Sequence, residues 1–242
     1  MDTARIAALL GPFLNRPLAP PQLEQISTYI DLLLRWNARI NLTAIRKEDE
    51  IVTRHFGESF FLARHLFPAE HVSPTLLSAQ GSPASQPGAG APLSAHLAMS
   101  GTPPPNPPHV LDIGSGAGFP ALPLKIWAPH IHLTLIESNH KKGAFLREVA
   151  RALTFTNINV IAERAEVLAA RPDFPRADVV TLRAVEHFDS ILPQAVTLLA
   201  PNATLALLIG VAQIPHLTSL KWLPPISVPQ SHARVLSIGV HN

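Results

Sequence analysis

Apolar side chains recur at helical spacing in the first 67 residues. After Pro20-Pro21, which the first turn of a helix tolerates, apolar positions close to one helical face predict a helix ending near Asn37: Leu23, Ile26, Ile30, Leu33, Leu34 and Trp36. A second helix is predicted from about Glu48 to Phe67, because acidic residues suit its positive end and Pro68 stops it. We therefore predict a small helical unit over residues 1–67.

Beyond Pro108 the pattern changes to short apolar runs that alternate with helix-like segments. Strands are predicted at Val110–Ile113, His132–Ile136, Ile158–Ala162, Asp178–Leu182, Thr204–Ile209 and Arg234–Gly239. Helices are predicted at Pro120–Trp127, His140–Leu153 and Asp189–Leu199. This alternation predicts an α/β fold over residues 109–242, with a doubly wound, mainly parallel sheet covered on both faces. Ligands of such sheets bind beyond the carboxyl ends of the strands.

The segment 68–108 separates the two patterns and differs from both in composition. It holds ten of the chain's 25 prolines, and its middle is rich in glycine, serine and alanine. Such a segment buries too little apolar surface to offset the entropy of ordering it. We predict a flexible insertion here; a proline-rich recognition segment is the weaker alternative.

Composition narrows the class of protein. Hydrophobic residues make up 47% of the 242 residues and charged residues only 15%, which favours a packed globule. The absence of cysteine excludes disulfides and thiolate metal sites, and we expect no metal. No apolar run approaches the roughly 20 residues of a membrane span, and the N-terminus lacks a secretory signal pattern, so a cytoplasmic protein is expected. The net charge of +2 is scattered, so charge alone does not predict nucleic-acid binding.

Three glycines follow the first predicted strand in the stretch VLDIGSGAGFPALPL. Gly114, Gly116 and Gly118 let the main chain turn sharply and approach a ligand without interference from a Cβ atom. Their spacing differs from the GxGxxG pattern of nicotinamide-binding proteins. Glu137 ends the second predicted strand, where a carboxylate can accept hydrogen bonds from both hydroxyls of a ribose.

These features together favour an adenosine-bearing cofactor, and S-adenosylmethionine above NAD. A tight strand-to-helix turn without a ligand remains the alternative for the glycines, and a solvated surface acid the alternative for Glu137.

Three blocks of the sequence resemble the bacterial small-subunit ribosomal RNA guanine N7-methyltransferases, the glucose-inhibited division protein B family. The blocks are RWNARINLTAIRKEDEIVTRHFGES before the insertion, LDIGSGAGFPALPL with LIESNHKKGAFLREV after it, and then ERAEVL with VVTLRAV. The resemblance implies a class I S-adenosylmethionine-dependent, Rossmann-like fold with an N-terminal helical extension. It also implies methyl transfer to N7 of guanine 527 of 16S rRNA, with the rRNA or the small ribosomal subunit as partner.

The resemblance also assigns site residues on the cofactor side. It implies that Gly114 and Phe119 line the cofactor, that Ala165 and Glu166 contact its adenine, and that Arg183 lies at the binding site. Glu166 could instead be a first-turn acid stabilised by a helix dipole, and Arg183 a surface ion pair.

On the substrate side, Arg164 and Arg183 are the candidates to orient the base during catalysis. Asn41, Arg54 and His55 become candidates for RNA contact or for bracing the site, although ordinary polar-face roles fit them as well. Guanine N7 carries a lone pair and no proton, so we expect no general base, and catalysis by positioning and charge stabilisation. We expect a monomer.

The chain departs from the family pattern at several positions. Ile209-Gly210 stands where the family commonly has Lys-Gly, Glu58 replaces a usual aspartate, and the last fifty residues or so match poorly. Three alternatives therefore stay open. They are a methyltransferase with another substrate, a non-catalytic RNA-binding or assembly factor, and a nicotinamide-dependent oxidoreductase.

Overall fold

The structure is a computed structural model that describes residues 1–68, 106–185, 187–215 and 217–241. The predicted flexible insertion at 68–108 lies almost wholly outside these residues. None of the helices in the described ranges is both long and apolar enough to cross a membrane.

The N-terminal part is helical, as predicted. It contains α1 (Thr3–Leu10), a 3-10 turn (Gly11–Phe13) and α2 (Pro20–Asn37). Helix α1 was not predicted, because only Ile6 and Leu10 of its eight residues are buried and the periodic signal is short. The side chain of Asp2 caps it by accepting a hydrogen bond from the Arg5 amide at 3.0 Å.

The second predicted helix is continuous but changes its winding. It consists of α3 (Glu48–Glu50), a π-helical stretch (Ile51–Gly57) and α4 (Glu58–Leu66). Wide π-turns inside helices are rare and occur often at functional sites. The stretch here carries Arg54 and His55, two of the residues singled out from the sequence.

The remaining chain forms an eight-stranded sheet in the order β3-β2-β1-β4-β5-β8-β6, with β7 paired to β8. The strands are β1 (His109–Ile113), β2 (His132–Ile136), β3 (Ile158–Ile161), β4 (Ala177–Arg183), β5 (Leu199–Gly210), β6 (Leu220–Trp222), β7 (Ile226–Ser227) and β8 (Arg234–His241). The first five pair in parallel, and β6, β7 and β8 add an antiparallel edge. The predicted α/β class with a mainly parallel sheet is thereby confirmed.

Helices cover both faces of this sheet. They are α5 (Ala121–Trp127), α6 (His140–Ala152), α7 (Ala165–Ala169) and α8 (Phe188–Thr197). One face packs on α5, α6 and the N-terminal helices in a common apolar core, and the other packs on α7 and α8. The helical unit therefore shares its core with one face of the sheet, which brings its residues close to the strand ends. The division of the chain at residue 67 stays a prediction.

Candidate active site

A cavity of about 830 Å³ opens at the carboxyl ends of the parallel strands. Two sets of residues line it and meet where His55 stacks on Phe119. The sheet wall contains most of the residues predicted to bind a cofactor: Gly114, Gly116, Phe119, Glu137, Ala165 and Glu166. The helical wall comes from the N-terminal unit and contains Thr43, Arg54 and His55. Strand-end placement of this kind is general for open α/β sheets.

The glycine turn after β1 is fixed by backbone hydrogen bonds to the neighbouring strand. The amides of Gly114 and Ser115 donate to the Ile136 carbonyl at 2.9 and 3.1 Å. Gly114 has a φ of +69°, and a Cβ atom there would lie 2.8 Å from a methyl carbon of Val185. Glycine is therefore required both by the backbone conformation and by the close approach of the segment after β4.

Glu137 is held at the end of β2 by two backbone amides. Its Oε2 accepts from the Gly116 amide at 2.8 Å, and its Oε1 accepts from the Asn139 amide at 2.8 Å. The residue is 7% exposed. Because each carboxylate oxygen has a further lone pair, Glu137 can still accept hydrogen bonds from two ligand hydroxyls.

Gly118 is the predicted cofactor residue that is not among the described residues lining the cavity. Its φ is +87°, and a Cβ atom there would lie 2.5 Å from a methyl carbon of Leu122 and even closer to the Tyr29 hydroxyl. That hydroxyl donates to the Ala117 carbonyl. The third glycine thus allows α2 to pack against the turn.

Phe119 joins the two walls through its ring. The Tyr29 ring stacks on it at a centroid distance of 5.2 Å, and the His55 ring stacks at 4.6 Å. Such stacking adds roughly 0.5–1.5 kcal/mol beyond burial for each aromatic pair. The sequence indicated Phe119 only as a cofactor contact, whereas the structure shows that it also anchors the helical unit.

His55 is an uncharged group in this cavity. Burial, followed by the charges of Arg183, Arg54 and Arg234, lowers its pKa from about 6.5 to about 3. Its Nε2 lies 2.8 Å from the Thr43 hydroxyl oxygen, which already accepts from the Ile45 amide. The hydroxyl can therefore donate its proton to Nε2. Nδ1 is buried and has no partner among the described residues.

A buried carboxylate behind the helical wall organises an arginine cluster, which we define as Arg54, Arg183 and Arg234 around Glu58. Glu58 Oε2 accepts from Arg183 at 2.9 Å and from Arg234 at 2.7 Å, and its Oε1 lies 4.0 Å from Arg54. Arg183 also donates to the Arg54 carbonyl at 2.5 Å. The cluster ties β4 and β8 to the π-helical stretch.

Burial lowers the pKa of Arg183 to about 10, so its guanidinium still carries its charge at neutral pH. The Nε of Arg183 is buried and has no partner within the described part of the chain. It is thus a free donor on a residue that lines the cavity.

The segment after β3 forms the rim of the sheet wall. Arg164 precedes α7, and its side chain, 72% exposed, lies 3.6 Å from the Glu166 carboxylate. Arg164, Ala165 and Glu166 all line the cavity, so the structure brings these predicted residues to the site. Arg164 is the more exposed of the two predicted catalytic arginines, because Arg183 is buried.

Asn41 does not line the cavity among the described residues, and it is exposed. Asn37, four residues earlier, braces the adjacent turn. The Asn37 Oδ1 accepts from the amides of Leu42 and Thr43 at 2.9 and 3.0 Å, and its Nδ2 donates to the Thr43 carbonyl at 2.9 Å. Asn37 lies in the first block of the resemblance, which was the available signal for it.

Asp112 lies under the glycine turn and is fully enclosed. The Thr181 hydroxyl donates to its Oδ1 at 2.5 Å, and burial raises its pKa to about 6. Its Oδ2 has no partner among the described residues. A buried carboxyl with a raised pKa beside a cavity is a feature of functional sites, although structural networks produce it too.

Arg234 is the site residue that the sequence did not reveal. In the β5–β8 ladder it pairs with Gly210, the second residue of the divergent Ile209-Gly210. Its guanidinium lines the cavity and contacts Glu58, on the sheet face opposite to that of Ile209, whose strand partner is Val235.

Comparison with known proteins identifies the family. A family model described as rRNA small subunit methyltransferase G matches residues 22–76 and 96–221. The chain belongs to the rRNA small subunit methyltransferase G family. The resemblance drawn from the three sequence blocks is thereby confirmed.

The chain covers different shares of the length of individual members of the methyltransferase G family. It is 37% identical to the Roseiflexus castenholzii protein over 172 residues, which is 71% of this chain and 58% of that relative. It is 34% identical to the Stenotrophomonas maltophilia K279a protein over 222 residues, which is 89% of this chain and 83% of that relative. The chain therefore spans about three fifths of the length of the Roseiflexus relative.

Solved structures provide a comparison of fold alone. The structure of yhhF from Escherichia coli has a TM-score of 0.46 and 17% identity, over 57% of this chain and 77% of that chain.

The donor set of the sheet wall fits an adenosine-bearing cofactor. The glycine turn presents backbone without side chains, Glu137 offers two acceptor oxygens, and Phe119 offers an apolar ring. A volume of about 830 Å³ lies in the upper part of the range for small-molecule sites, so a base from a second ligand has room beside the cofactor.

Proposed function

We propose that this chain transfers a methyl group from S-adenosylmethionine to N7 of a guanine in 16S rRNA, guanine 527 by resemblance. The observation that carries the proposal is one cavity that contains both a cofactor-type sheet wall and three arginines, Arg54, Arg183 and Arg234, in a chain of a methyltransferase family. The substrate is the rRNA or the small ribosomal subunit, and the chain acts as a monomer in the cytoplasm.

The sheet wall binds the cofactor. Glu137 accepts hydrogen bonds from the ribose hydroxyls, while its amide partners keep the carboxylate in place. Gly114 and Gly116 allow the chain to approach the ligand closely, and Ala165 and Glu166 lie beside the adenine. The bound cofactor supplies an electrophilic methyl group on a sulfonium centre.

The helical wall receives the guanine. Because N7 has an in-plane lone pair and no proton, the residues need only to position the base and to accommodate the change in charge. His55 suits this role, since it is uncharged and lines the cavity, so it can pack against a base without taking up the N7 lone pair as a cation would. A base whose N7 is reached in this way is unpaired or extruded, because the major groove of paired RNA is narrow.

The three arginines Arg54, Arg164 and Arg183 have different roles. Arg183 holds its position through Glu58 and the Arg54 carbonyl, and it presents a buried positive charge to a ligand in the cavity that it lines. Arg164 and Arg54 are more exposed and contact the RNA backbone by charge.

A second candidate function is favoured by one observation. Ile209 is an apolar, buried residue at the end of β5 where the family commonly has a lysine. A chain that binds RNA and cofactor without transferring methyl groups would be consistent with this change. The catalytic proposal is supported instead by the two arginines, Arg183 and Arg234, that line the same cavity as the glycine turn.

The test is transfer of a labelled methyl group to small ribosomal subunits that lack the modification, followed by nucleoside analysis of the RNA. The expected product is 7-methylguanosine at one position. Cofactor binding without any methylated nucleoside would overturn the proposal in favour of the non-catalytic role.

A further inference from the structure

A second cavity, of about 330 Å³, lies on the other side of the arginine cluster. It shares Arg54 and Arg234 with the larger cavity, and Glu58 lies in its wall. The rest of its lining comes from Phe13, from Thr53 and from the turn 229–233 between β7 and β8. Neither this turn nor Thr53 has a role in the cofactor or base site described above.

The charge around this cavity is positive. Two guanidinium groups, those of Arg54 and Arg234, and one carboxylate, that of Glu58, line it, which leaves a formal surplus of one positive charge. Glu58 is the only acid among the described residues that line the cavity. Its side chain is 4% exposed, and its Oε2 already accepts from two arginines.

The arginines still have donors to offer. The Arg54 side chain is 51% exposed and lies 4.0 Å from Glu58, so most of its N–H groups are not committed to that carboxylate. Arg234 is held at 2.7 Å through one nitrogen and is 29% exposed. Guanidinium groups of this kind bind the oxygens of phosphate with two parallel hydrogen bonds.

Neutral hydrogen-bonding groups complete the lining. Gln230, Ser231 and His232 lie in the turn, and Thr53 lies on the π-helical stretch beside Arg54. Gln230 has a φ of +58°, an uncommon conformation for a residue other than glycine, asparagine or aspartate. Arginines, hydroxyls and amides are the groups that contact phosphate in protein–nucleic acid complexes.

We propose that the second cavity binds a backbone phosphate of the RNA substrate next to the nucleotide whose base enters the larger cavity. The proposal rests on the proposed function for the identity of the RNA. Arg54 and Arg234 line both cavities, so a phosphate bound in the second cavity would lie directly beside the base site. Binding here would fix the register of the RNA without reading its sequence.

The experiment places a negative charge in the turn. Ser231→Glu and His232→Glu are compared with Thr218→Glu, an exposed control that lines neither cavity. Methyl transfer to a 16S rRNA fragment, direct binding of that fragment and S-adenosylmethionine binding are measured for each. His232 is exposed, so its variant tests the site even if Ser231→Glu disturbs the turn.

The expected result is a rise of about tenfold in the KM for RNA for both turn variants, with kcat and cofactor binding unchanged. The logarithm of the RNA association constant should fall less steeply with the logarithm of the salt concentration, by about 0.7 in slope for one lost phosphate contact on a single strand. The Thr218→Glu control should behave as the wild type.

Unchanged RNA binding and salt slope in both turn variants would overturn the proposal. If inorganic phosphate then stabilises the wild type but not the variants against unfolding, the cavity takes a small free anion instead. Weakened RNA binding in the variants of a chain that transfers no methyl group would support the phosphate site and overturn the proposed function.

Discussion

The sheet wall and the helical wall of the cavity are assembled from the chain in different ways. The glycine turn and Glu137 lie 21 residues apart on neighbouring strands and are fixed by backbone hydrogen bonds. The helical wall depends on Glu58, whose partners Arg183 and Arg234 lie 125 and 176 residues further along the chain. The sheet wall is therefore formed locally by strand pairing. The helical wall is formed by ion pairs between residues far apart in the sequence.

This difference predicts that cofactor binding and the packing of the N-terminal unit depend on different residues. Changes in the sheet wall should weaken cofactor binding and leave the fold intact, because the backbone hydrogen bonds between the strands remain. Changes in the helical wall should disturb the packing of the N-terminal unit as well as the site. Substitutions in each wall test whether the two effects are separate.

Replacing Glu58 should have the largest effect on stability. Glu58→Gln leaves three neighbouring arginines without their buried counter-charge and should lower the free energy of unfolding by about 3–5 kcal/mol. Urea unfolding measures this. Glu58→Asp is the matched control, because it keeps the charge, and it should lose much less. A larger loss in Glu58→Asp than in Glu58→Gln would show that side-chain length and not charge holds the helical wall.

Replacing Arg183 should have the largest effect on activity at a given stability. Arg183→Ala should reduce methyl transfer by about 10²–10³-fold, the usual cost of removing one positioned donor at a reacting centre. Arg151→Ala, an exposed arginine in the last turn of α6, is the control and should keep its activity. Kinetics of Arg183→Ala equal to those of the wild type would remove Arg183 from the site.

The sheet wall is tested by Glu137→Gln. This change replaces one carboxylate oxygen by an amide donor and should weaken S-adenosylmethionine binding by about 10–100-fold, the range for hydrogen bonds to charged groups. RNA affinity should stay unchanged. Calorimetric titration provides the measurement, with Glu24→Gln on the exposed face of α2 as control. Loss of RNA binding in Glu137→Gln would contradict the separation of the two walls.

The smallest effects concern the dependence of stability on pH. Asp112, with a pKa raised to about 6, holds a proton in the native state that the unfolded chain releases above about 4. Its contribution to stability therefore falls as the pH rises from 4 to 6. His55, with a pKa of about 3, does the opposite, because the unfolded chain binds a proton below about 6.5 that the native state does not.

Between pH 4 and 6 the two slopes oppose each other, each at most about 1.4 kcal/mol per pH unit. Asp112→Asn should therefore make stability rise more steeply with pH, and His55→Gln should make it fall. Urea midpoints at pH 4.5 and 5.5 test this, and identical slopes in both variants would contradict the assignment.

Much of the sheet wall was predictable because its signals are local. Glycine spacing, the strand-end position of Glu137 and the helix start after it all lie within 30 residues or so, and the predicted strand His132–Ile136 has the observed bounds. The short strands β6 and β7 were missed, since three and two residues carry no periodic pattern.

The helical wall was not predictable in the same way. Asn37 and Glu58 were visible only as letters in a family block, and Arg234 lies in the poorly matching C-terminal part. Their function depends on which strand ends meet the π-helical stretch, and this is set by tertiary packing. His55 illustrates the point, because its sequence position gave no indication that burial and three arginines would keep it uncharged.

The most direct test of the account is a crystal structure of this chain with S-adenosylhomocysteine. The account predicts that both ribose hydroxyls lie within hydrogen-bond distance of the Glu137 carboxylate and that the adenine lies beside Ala165 and Glu166. The space next to His55 and Arg183 should remain free for the guanine. A cofactor bound against the helical wall, or one that makes no contact with Glu137, would contradict the assignment of the two walls.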